Sequence, residues 1–280
     1  MHQFKIVKSF LNKNSIFKNS IYFMHVPKCG GTTIDQIFLK LSNVLGSFNF
    51  NRFSYNQEKN NKKFFIESLK NDYPRFISGH LDFNFTKNLK NVFKCTIIRD
   101  PLDRTLSHYK FTLFKLKKKP VEYSLVNFIK DEIDDYRENL VTRHFAGILK
   151  IKKKLTENDK QKALTNIKTF DQIDIFENWD YFVSELLSKN GLPSILYSRF
   201  QEHSYDFVFN PTQNEIDLIR QYYKYDFEIY NEVLKFLPKR KKYFEKNYCK
   251  KICIVSPYVK SQNRLYDSNE IKKFFKLKSK

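Results

Sequence analysis

The chain contains little glycine, proline or cysteine. Its 280 residues include 6 Gly and 8 Pro, which argues against a turn-rich all-β fold. The 4 Cys are too few and too scattered for a disulfide framework, so we expect reduced thiols and a cytoplasmic protein. Cys249 and Cys253 have no second pair near them in the sequence, and a zinc site is therefore not expected.

Long apolar segments are also missing. No stretch approaches the roughly 20 consecutive apolar residues that a membrane-spanning helix requires. The first residues carry Lys5, Lys8, Lys13 and Lys18 without a sustained apolar core or a small-residue cleavage site. We therefore expect neither a transmembrane segment nor a signal peptide.

Acidic residues are outnumbered by basic ones. The chain has 30 Asp and Glu against 51 Lys and Arg, which gives a formal net charge of +21. Such an excess suits a polyanionic partner, a class that includes nucleic acids, acidic glycans and anionic membrane surfaces. A coding bias toward Lys, Asn, Ile, Phe and Tyr produces the same excess, so charge alone does not select a function.

Hydrophobic residues, in contrast, are abundant. They make up 41% of the chain, and aromatic residues make up 17%, which is enough for a packed core. Long helical patterns alternate with short apolar runs, which predicts an α/β fold with a central, mostly parallel sheet flanked by helices. We find no internal repeat or clear linker, and we predict a single domain over residues 1–280 with a lysine-rich C-terminal extension from about 238 to 280.

A strand, a glycine-containing loop and a helix follow one another early in the chain. Ile21–Val26 is a short apolar run typical of a buried parallel strand, and Pro27–Gly31 forms the loop. Thr32 opens an amphipathic helix whose apolar face carries Ile34, Ile37, Phe38, Leu41 and Leu45. Glycines permit close backbone approach, and the unpaired first-turn N–H groups of a helix attract anions. With the charge of Lys28 and the hydroxyls of Thr32 and Thr33, this unit is predicted to hold a phosphate or sulfate.

The loop is not that of the nucleoside triphosphatases. Their pattern is GxxxxGK[ST], whereas Lys28 precedes Gly30 and Gly31, and no GK[ST] occurs elsewhere. The string Pro27-Lys28-Cys29-Gly30-Gly31-Thr32-Thr33 resembles the 5′-phosphosulfate loop of sulfotransferases that use 3′-phosphoadenosine 5′-phosphosulfate. Within these enzymes it is most similar to the glycan-modifying branch, which includes the heparan sulfate sulfotransferases and whose loop reads PKxGGTS or PKxGGTT. The resemblance implies a P-loop-like sulfotransferase fold.

A second segment strengthens the resemblance. Val92–Ile98 is an apolar, β-branched strand that leads into Arg99-Asp100-Pro101, where Asp100 suits a helix cap and Pro101 the first helical position. Arg99-Asp-Pro-x-x-Arg104-x-x-Ser107-x-Tyr109 resembles the RDPxxRxxSxY segment of the same sulfotransferases. The resemblance implies that Arg99 and Ser107 hold the 3′-phosphate of the donor. Without it, Arg99 is equally well a salt-bridged strand end and Ser107 a helix-surface residue.

A third segment, ENLVTRHFAG at Glu138–Gly147, is similar to the NxxTRxLxG-like helix of these enzymes. Asn139, Thr142 and Arg143 stand at matching positions. Two interpretations of Arg143 stay open, since it either faces the donor or acceptor or forms a structural ion pair.

Several other elements are predicted from pattern alone. Ser47–Lys63 is polar and Asn-rich and is predicted to be a surface loop, followed by a short helix at Phe64–Leu69. Asn178 is predicted to cap a helix over Trp179–Leu187. Pro211–Leu237 is predicted to be one long helix with an inward stripe of Ile216, Ile219, Tyr223, Phe227, Tyr230 and Leu234. The lysine run Lys115–Lys119 is either a solvated helix end or a binding patch.

The resemblance implies transfer of the sulfuryl group of 3′-phosphoadenosine 5′-phosphosulfate to a carbohydrate hydroxyl, in line and without a required metal. Lys28 would stabilise the bridging oxygen, and residues Cys29 to Thr33 would hold the 5′-phosphate. His80, at the predicted end of a strand over Phe76–Ser78, is the predicted general base because histidine titrates near neutrality. Asp82 is the second candidate base. His80 is otherwise a buried structural histidine, and His25 and His108 are expected to be packing or donor-site residues.

Other functions remain open at this level. A nucleotide-dependent kinase is disfavoured by the missing GK[ST], and a basic, non-enzymatic polyanion-binding protein would not need Lys28, Arg99 and Ser107 to converge. The expected acceptor is an oligosaccharide or polysaccharide, and the basic surface suits an acidic one. Nucleic acid is not an expected partner.

Overall fold

The structure is a computed structural model that describes residues 5–6, 20–45, 50–53, 76–87, 89, 91–192, 195–196 and 207–248. Its strands are β1 (Lys5–Ile6), β2 (Ser20–Met24), β3 (Phe50–Phe53), β4 (Phe76–Gly79), β5 (Val92–Ile98), β6 (Gln172–Ile175) and β7 (Ile195–Leu196). Its helices are α1 (Gly31–Leu45), α2 (Phe83–Thr86), α3 (Pro101–Leu116), α4 (Leu125–Asp134), α5 (Leu140–Ala146), α6 (Glu157–Ile167), α7 (Trp179–Lys189), α8 (Gln213–Tyr222) and α9 (Lys224–Tyr248). Among these residues, no helix is both long and apolar enough to cross a membrane.

Five of the strands form one parallel sheet in the order β3-β4-β2-β5-β6. Strands β1 and β7 form a separate antiparallel pair. After β2 the chain builds β3 and β4 on one side and then β5 and β6 on the other. The carboxyl end of β2 is therefore the switch point of the sheet, where ligands bind in open α/β folds. The predicted α/β fold with a central parallel sheet is confirmed.

The main core lies between the sheet and its helices. The four predicted inward residues of α1 that precede Leu45 are 0% exposed: Ile34, Ile37, Phe38 and Leu41. The ring of Phe38 stacks on that of Phe76 in β4, with 3.8 Å between centroids. Full burial of such a side chain contributes about 1.5–3 kcal/mol, so this face fixes α1 on the sheet.

A second, smaller core joins the helices that follow β5. It contains Tyr109 and Leu113 of α3 together with Leu125, Phe128, Ile129, Ile219 and Tyr223. Within the described part of the chain, α3 adds no buried hydrophobic residue to the core around the sheet. Helix α3 therefore packs with α4 and α8 instead of covering a face of the sheet.

The predicted surface loop over Ser47–Lys63 is wrong at Phe50–Phe53. These residues form the edge strand β3, with Phe50 paired to Phe76 and Phe53 to Gly79. The four-residue strand is short, and its polar, Asn-rich neighbours hide it in the sequence pattern. The other residues of Ser47–Lys63 lie outside the described residues, as does the predicted helix at Phe64–Leu69.

The predicted single helix over Pro211–Leu237 is also wrong. It is divided into α8 and α9 at Tyr223, and Leu234, predicted to face inward, is 37% exposed. Helix α9 continues through Pro238 to Tyr248, although proline cannot donate the helical hydrogen bond. The remaining predicted extension, with Cys249 and Cys253, lies outside the described residues, and the single-domain organisation stays a prediction.

The predicted cap at Asn178 is not formed by its side chain. Asn178 precedes α7, but its Nδ2 donates to Asp174 Oδ1 at 3.0 Å instead of its side chain capping the helix. A short 3₁₀ turn over Phe176–Asn178 intervenes between β6 and α7, and this turn brings Phe176 and Trp179 to the end of β6.

Candidate active site

The carboxyl edge of the parallel sheet gathers most of the predicted site. Lys28 follows β2, His80 follows β4 and Arg99 follows β5. Phe176 follows β6 on the far side of β5. Because all these strands are parallel, their carboxyl ends lie at one edge.

The backbone of the loop after β2 is shaped to hold an anion. Lys28 has φ 67° and Gly30 has φ 82°, so positive φ alternates along the loop. Such alternation turns successive N–H groups toward one point and makes a concave anion site, and helix α1 begins at the next residue, Gly31. Left-handed backbone at a non-glycine residue such as Lys28 costs about 1–2 kcal/mol.

Both glycines of the loop are required by close packing. A Cβ atom on Gly30 would lie 2.7 Å from the Trp179 ring and 2.8 Å from the Phe176 ring. A Cβ atom on Gly31 would lie 2.1 Å from the His25 ring. The two glycines therefore let the loop sit directly on a wall of aromatic rings, which the sequence pattern did not reveal.

Lys28 lies against an aromatic ring of helix α3. Its Nζ is 4.1 Å from the Phe111 centroid, and Nζ of Lys115 is 5.0 Å from the same centroid. Burial lowers the pKa of Lys28 to about 8, and the positive charges of Arg99 and Lys115 add to this effect. The charges of Lys28 and Arg99 are therefore near enough to influence each other.

Arg99 retains unused hydrogen-bonding capacity. Its guanidinium lies over the Phe176 ring at 4.8 Å, and its Nη2 is 3.9 Å from Asp103 Oδ2. Its Nε is buried and has no hydrogen-bond partner among the described residues. A forked, permanently charged group in this state is suited to bind a phosphate. Ser107 is partly buried on α3, two turns beyond this strand end.

The other loop residues differ in accessibility. Cys29 is buried, and burial raises the pKa of its thiol to about 12, so the thiol is neutral. Its Sγ lies 3.7 Å from the Pro27 carbonyl oxygen. Thr32 is partly buried and Thr33 is 4% exposed, with the Thr33 N–H donating to the Gly30 carbonyl at 2.9 Å. The Cys29 N–H donates to the Val26 carbonyl at 3.4 Å.

His80 is held in one tautomer. Its Nδ1 lies 2.9 Å from the His25 carbonyl oxygen, which can only accept, so Nδ1 carries the proton. Nε2 then bears the lone pair that a general base needs. The His25 ring packs on the His80 ring with 4.4 Å between centroids.

His25 connects His80 to the start of α1. Its Nδ1 lies 3.3 Å from Asp35 Oδ2, and both side chains are buried. The other oxygen of Asp35 accepts a hydrogen bond from Ser78, which lies in β4 two residues before His80. This chain of contacts fixes His80 to β2, α1 and β4.

Asp82, the second candidate base, is engaged in structure. Its Oδ1 accepts from the Asn84 N–H at 3.1 Å and caps α2, and its Oδ2 accepts from the Leu149 N–H at 3.3 Å. His108 lies outside the loop site, with Nδ1 3.5 Å from Glu132 Oε2 and its ring edge-on to Phe128.

His144 is a neighbour of His80 that the sequence did not single out. It is fully buried, and burial lowers its pKa to about 3, with smaller effects from His80 and His25. Its Nδ1 donates to the Leu140 carbonyl at 2.8 Å, and its Nε2 has no partner among the described residues. His144 is therefore a neutral imidazole. In the sequence, only its place within the segment ENLVTRHFAG, which resembles a segment of the sulfotransferases, could have drawn attention to His144.

The third resembling segment is structural. Arg143 is 0% exposed; its Nη2 pairs with Glu138 Oε1 at 2.6 Å and also donates to the Lys153 carbonyl at 3.0 Å. Its Nε donates to the Glu138 carbonyl at 2.9 Å. Of the two open interpretations of Arg143, the structural ion pair is the one observed.

A buried arginine lies on the same helix as Ser107. Arg104 is 0% exposed, and its three guanidinium nitrogens have no hydrogen-bond partner among the described residues. The guanidinium is 5.9 Å from the Tyr223 ring centroid. Burial raises the pKa of Asp226, and the charge of Arg104 opposes this rise. Arg104 thus supplies positive charge in the interior behind the loop.

Comparison with known proteins identifies the family of the chain. The sequence profile of the sulfotransferase family matches residues 17–231, so the chain belongs to this family. A sulfotransferase from Alicyclobacillus acidocaldarius is similar in structure, with 11% identity, a TM-score of 0.43, and coverage of 75% of this chain and 93% of that one. No curated protein matches the chain.

Proposed function

We propose that the protein transfers a sulfuryl group from 3′-phosphoadenosine 5′-phosphosulfate to a hydroxyl group of a carbohydrate. The observation that carries this proposal is the convergence of Lys28, on the loop with alternating positive φ, and Arg99, with an unpartnered Nε, at one edge of the sheet. A non-enzymatic polyanion-binding surface would not require this convergence.

The residues present fit such a donor. The glycine loop and the N-terminus of α1 offer a 5′-phosphate the positive end of the helix dipole and a close approach to the backbone. Arg99 and Ser107 bind the 3′-phosphate, and the buried charge of Arg104 adds a favourable potential from below. The bound donor brings the activated sulfuryl group, so the chain itself has to supply only positioning and charge.

The chemical step forms a bond between the acceptor oxygen and sulfur while the bond from sulfur to the bridging phosphate oxygen breaks. Lys28 stabilises the charge that develops on that bridging oxygen. His80 Nε2 takes the acceptor proton, since Nδ1 is already bound to the His25 carbonyl. The leaving group is 3′-phosphoadenosine 5′-phosphate. By analogy with phosphoryl transfer, positioning and electrostatic stabilisation supply most of the rate.

Binding of the desulfonated product, 3′-phosphoadenosine 5′-phosphate, tests the donor site. We expect it to raise the melting temperature of the wild type, and we expect Arg99→Ala to abolish this shift. Arg220→Ala is the matched control, because Arg220 is an exposed guanidinium that pairs only with Asp217 on α8 among the described residues. An equal response to heparin and adenosine 5′-monophosphate, independent of Arg99, would instead identify a general polyanion-binding protein.

Product formation tests the reaction. Wild-type protein, incubated with donor labelled in the sulfuryl group and a panel of glycans, should transfer the label to at least one glycan. Lys28→Met should bind glycans but transfer no label. If the label stays on the donor with every glycan, while small phenols or alcohols accept it, the carbohydrate acceptor is wrong and sulfuryl transfer stands.

A further inference from the structure

We propose that Lys115, Lys117, Lys118 and Lys119, here called the α3 lysine cluster, bind the negative groups of an acidic saccharide acceptor. This inference rests on the proposed function and specifies its acceptor. It assigns the lysine run, which the sequence left open between a solvated helix end and a binding patch, to binding.

The cluster is continuous with the reaction centre. Lys28 and Lys115 place their Nζ atoms 4.1 and 5.0 Å from the centroid of the same Phe111 ring. The positive charge of Lys115 also contributes to lowering the pKa of Lys28. A negative group bound at Lys115 would therefore be separated from Lys28, which stabilises the leaving oxygen in the proposed reaction, by the Phe111 ring alone.

The ammonium groups of the cluster are not neutralised by ion pairs with the described residues, although Glu122 Oε2 accepts from the Lys119 backbone N–H at 2.6 Å. Within the described residues, none of its four ammonium groups forms an ion pair, whereas Lys153, Lys160, Lys189 and Lys235 each pair with a carboxylate. All four lysines are exposed. A solvated helix end explains one or two lysines in the last turn, but not a run that continues beyond the helix into the next turn.

The end of α3 holds the cluster in a defined backbone. Lys117 has φ 54°, its N–H donates to the Phe114 carbonyl at 3.2 Å, and the Lys118 N–H donates to the Leu113 carbonyl at 3.0 Å. These two bonds are the Schellman arrangement that terminates a helix. The charges are thus displayed by an ordered turn and not by a loose chain.

The chemistry of this surface suits a sugar. Phe114, 56% exposed, stands on α3 one residue before Lys115 and offers an apolar face for a pyranose ring. Lysine is a mobile point charge that adapts to carboxylates or sulfates spaced along a polysaccharide. We therefore commit to a saccharide that carries carboxylate or sulfate groups next to the hydroxyl that is sulfated.

The test compares Lys118→Ala/Lys119→Ala with Lys162→Ala/Lys168→Ala. The control pair removes the same charge from exposed lysines of the α6 segment, which leads into the amino end of β6 at the opposite edge of the sheet. Affinity is measured for a chondroitin sulfate oligosaccharide, a hyaluronan oligosaccharide, dextran and a single-stranded RNA of similar length. Each protein is also titrated with 3′-phosphoadenosine 5′-phosphate.

We expect the Lys118/Lys119 variant to bind the acidic saccharides about tenfold more weakly, with a shallower dependence on salt. We expect the control pair to change affinity less than twofold, and dextran to bind neither variant nor wild type. The proposal is overturned if both variants lose affinity equally, if the Lys118/Lys119 variant loses none, or if RNA binds as tightly as the acidic saccharides.

The titration with 3′-phosphoadenosine 5′-phosphate keeps the two proposals separate. If that nucleotide fails to bind the wild type while acidic saccharides still depend on Lys118 and Lys119, the proposed function fails and the saccharide surface stands. If the nucleotide binds and the saccharide affinity is unaffected in the Lys118/Lys119 variant, the acceptor assignment alone fails.

Discussion

Asn139 and Asp226 form a reciprocal pair of helix caps. Asn139, which precedes α5, caps the start of α9, and Asp226 of α9 caps the start of α5. Asn139 Oδ1 accepts from the Tyr225 and Asp226 N–H groups at 3.0 and 3.1 Å, at the start of α9. Asp226 Oδ1 accepts from the Thr142 N–H and hydroxyl, both at 2.8 Å, at the start of α5. Asn139 Nδ2 also donates to the Tyr222 carbonyl at 2.7 Å, so one side chain closes α8 and opens α9.

Removal of this reciprocal cap should destabilise the protein. We expect Asn139→Ala to lower the free energy of unfolding by about 3 kcal/mol, because it leaves buried backbone groups of two helices without partners. Urea denaturation followed by circular dichroism measures the change. Asn127→Ala, at an exposed position on α4, is the control and should change stability by less than about 0.5 kcal/mol. Equal effects would show that the cap adds nothing specific.

The contact between Gly31 and His25 predicts a pair of compensating substitutions. Gly31→Ala should weaken binding of 3′-phosphoadenosine 5′-phosphate and lower the melting temperature, because its Cβ would lie 2.1 Å from the His25 ring. His25→Ala/Gly31→Ala should recover part of the lost melting temperature, since the smaller side chain makes room. A double variant less stable than the sum of the single changes would contradict this geometry.

The lowered pKa of Lys28 predicts a pH-dependent affinity. Because the ammonium of the free protein is lost as the pH rises through about 8, affinity for 3′-phosphoadenosine 5′-phosphate should fall between pH 7.5 and 9. Isothermal titration calorimetry at several pH values measures this. Lys115→Ala should move the midpoint upward by removing a nearby positive charge, and Lys28→Met should bind weakly with little pH dependence.

The ionisation of Lys28 also affects the stability of the fold. Stability is expected to rise with pH, whereas the affinity for the nucleotide is expected to fall. Folding lowers the pKa of Lys28 from 10.5 to about 8, so the folded protein binds fewer protons than the unfolded chain between these values. This contribution therefore makes stability rise with pH in that interval. Comparison of wild type with Lys28→Met by urea denaturation at pH 8 and 10 isolates it; an equal pH dependence in both proteins would exclude the effect.

The geometry of His80 predicts a separation of catalysis from donor binding. We expect His80→Asn to lower kcat by about 10²–10⁴-fold while the affinity for 3′-phosphoadenosine 5′-phosphate stays within about threefold of wild type. Asp82→Asn should retain most of its kcat and instead lose stability, since Asp82 caps α2. Product formation and thermal shift are measured on both variants. The reverse pattern would make Asp82 the base.

The sequence was most informative where local pattern and function coincide. Strand β5 has the predicted bounds Val92–Ile98, and Asp100 and Pro101 stand at the predicted cap and first helical position. Apolar runs, capping residues and glycines act over a few neighbouring residues, so they can be recognised from the sequence alone. The same holds for the loop from Lys28 to Thr33, whose residues are adjacent in the chain.

What the sequence could not provide depends on distant residues. The helix ends at Tyr223 are capped by Asn139, which is remote in the chain. The tautomer of His80 is set by the carbonyl of His25, the residue that follows β2. The packing of Trp179 behind Gly30 likewise joins two strand ends. These contacts between residues distant in the chain form only in the folded protein, and no local sequence pattern predicts them.

The two cores anchor different parts of the candidate site. The loop that we propose holds the donor is anchored in the core around the sheet. Ser107 and the α3 lysine cluster, in contrast, lie on or directly after a helix whose buried hydrophobic side chains belong to the other core. Substitutions in the second core can therefore displace Ser107 and the lysines of α3, together with the Phe111 ring under Lys28, without opening the core that anchors the loop.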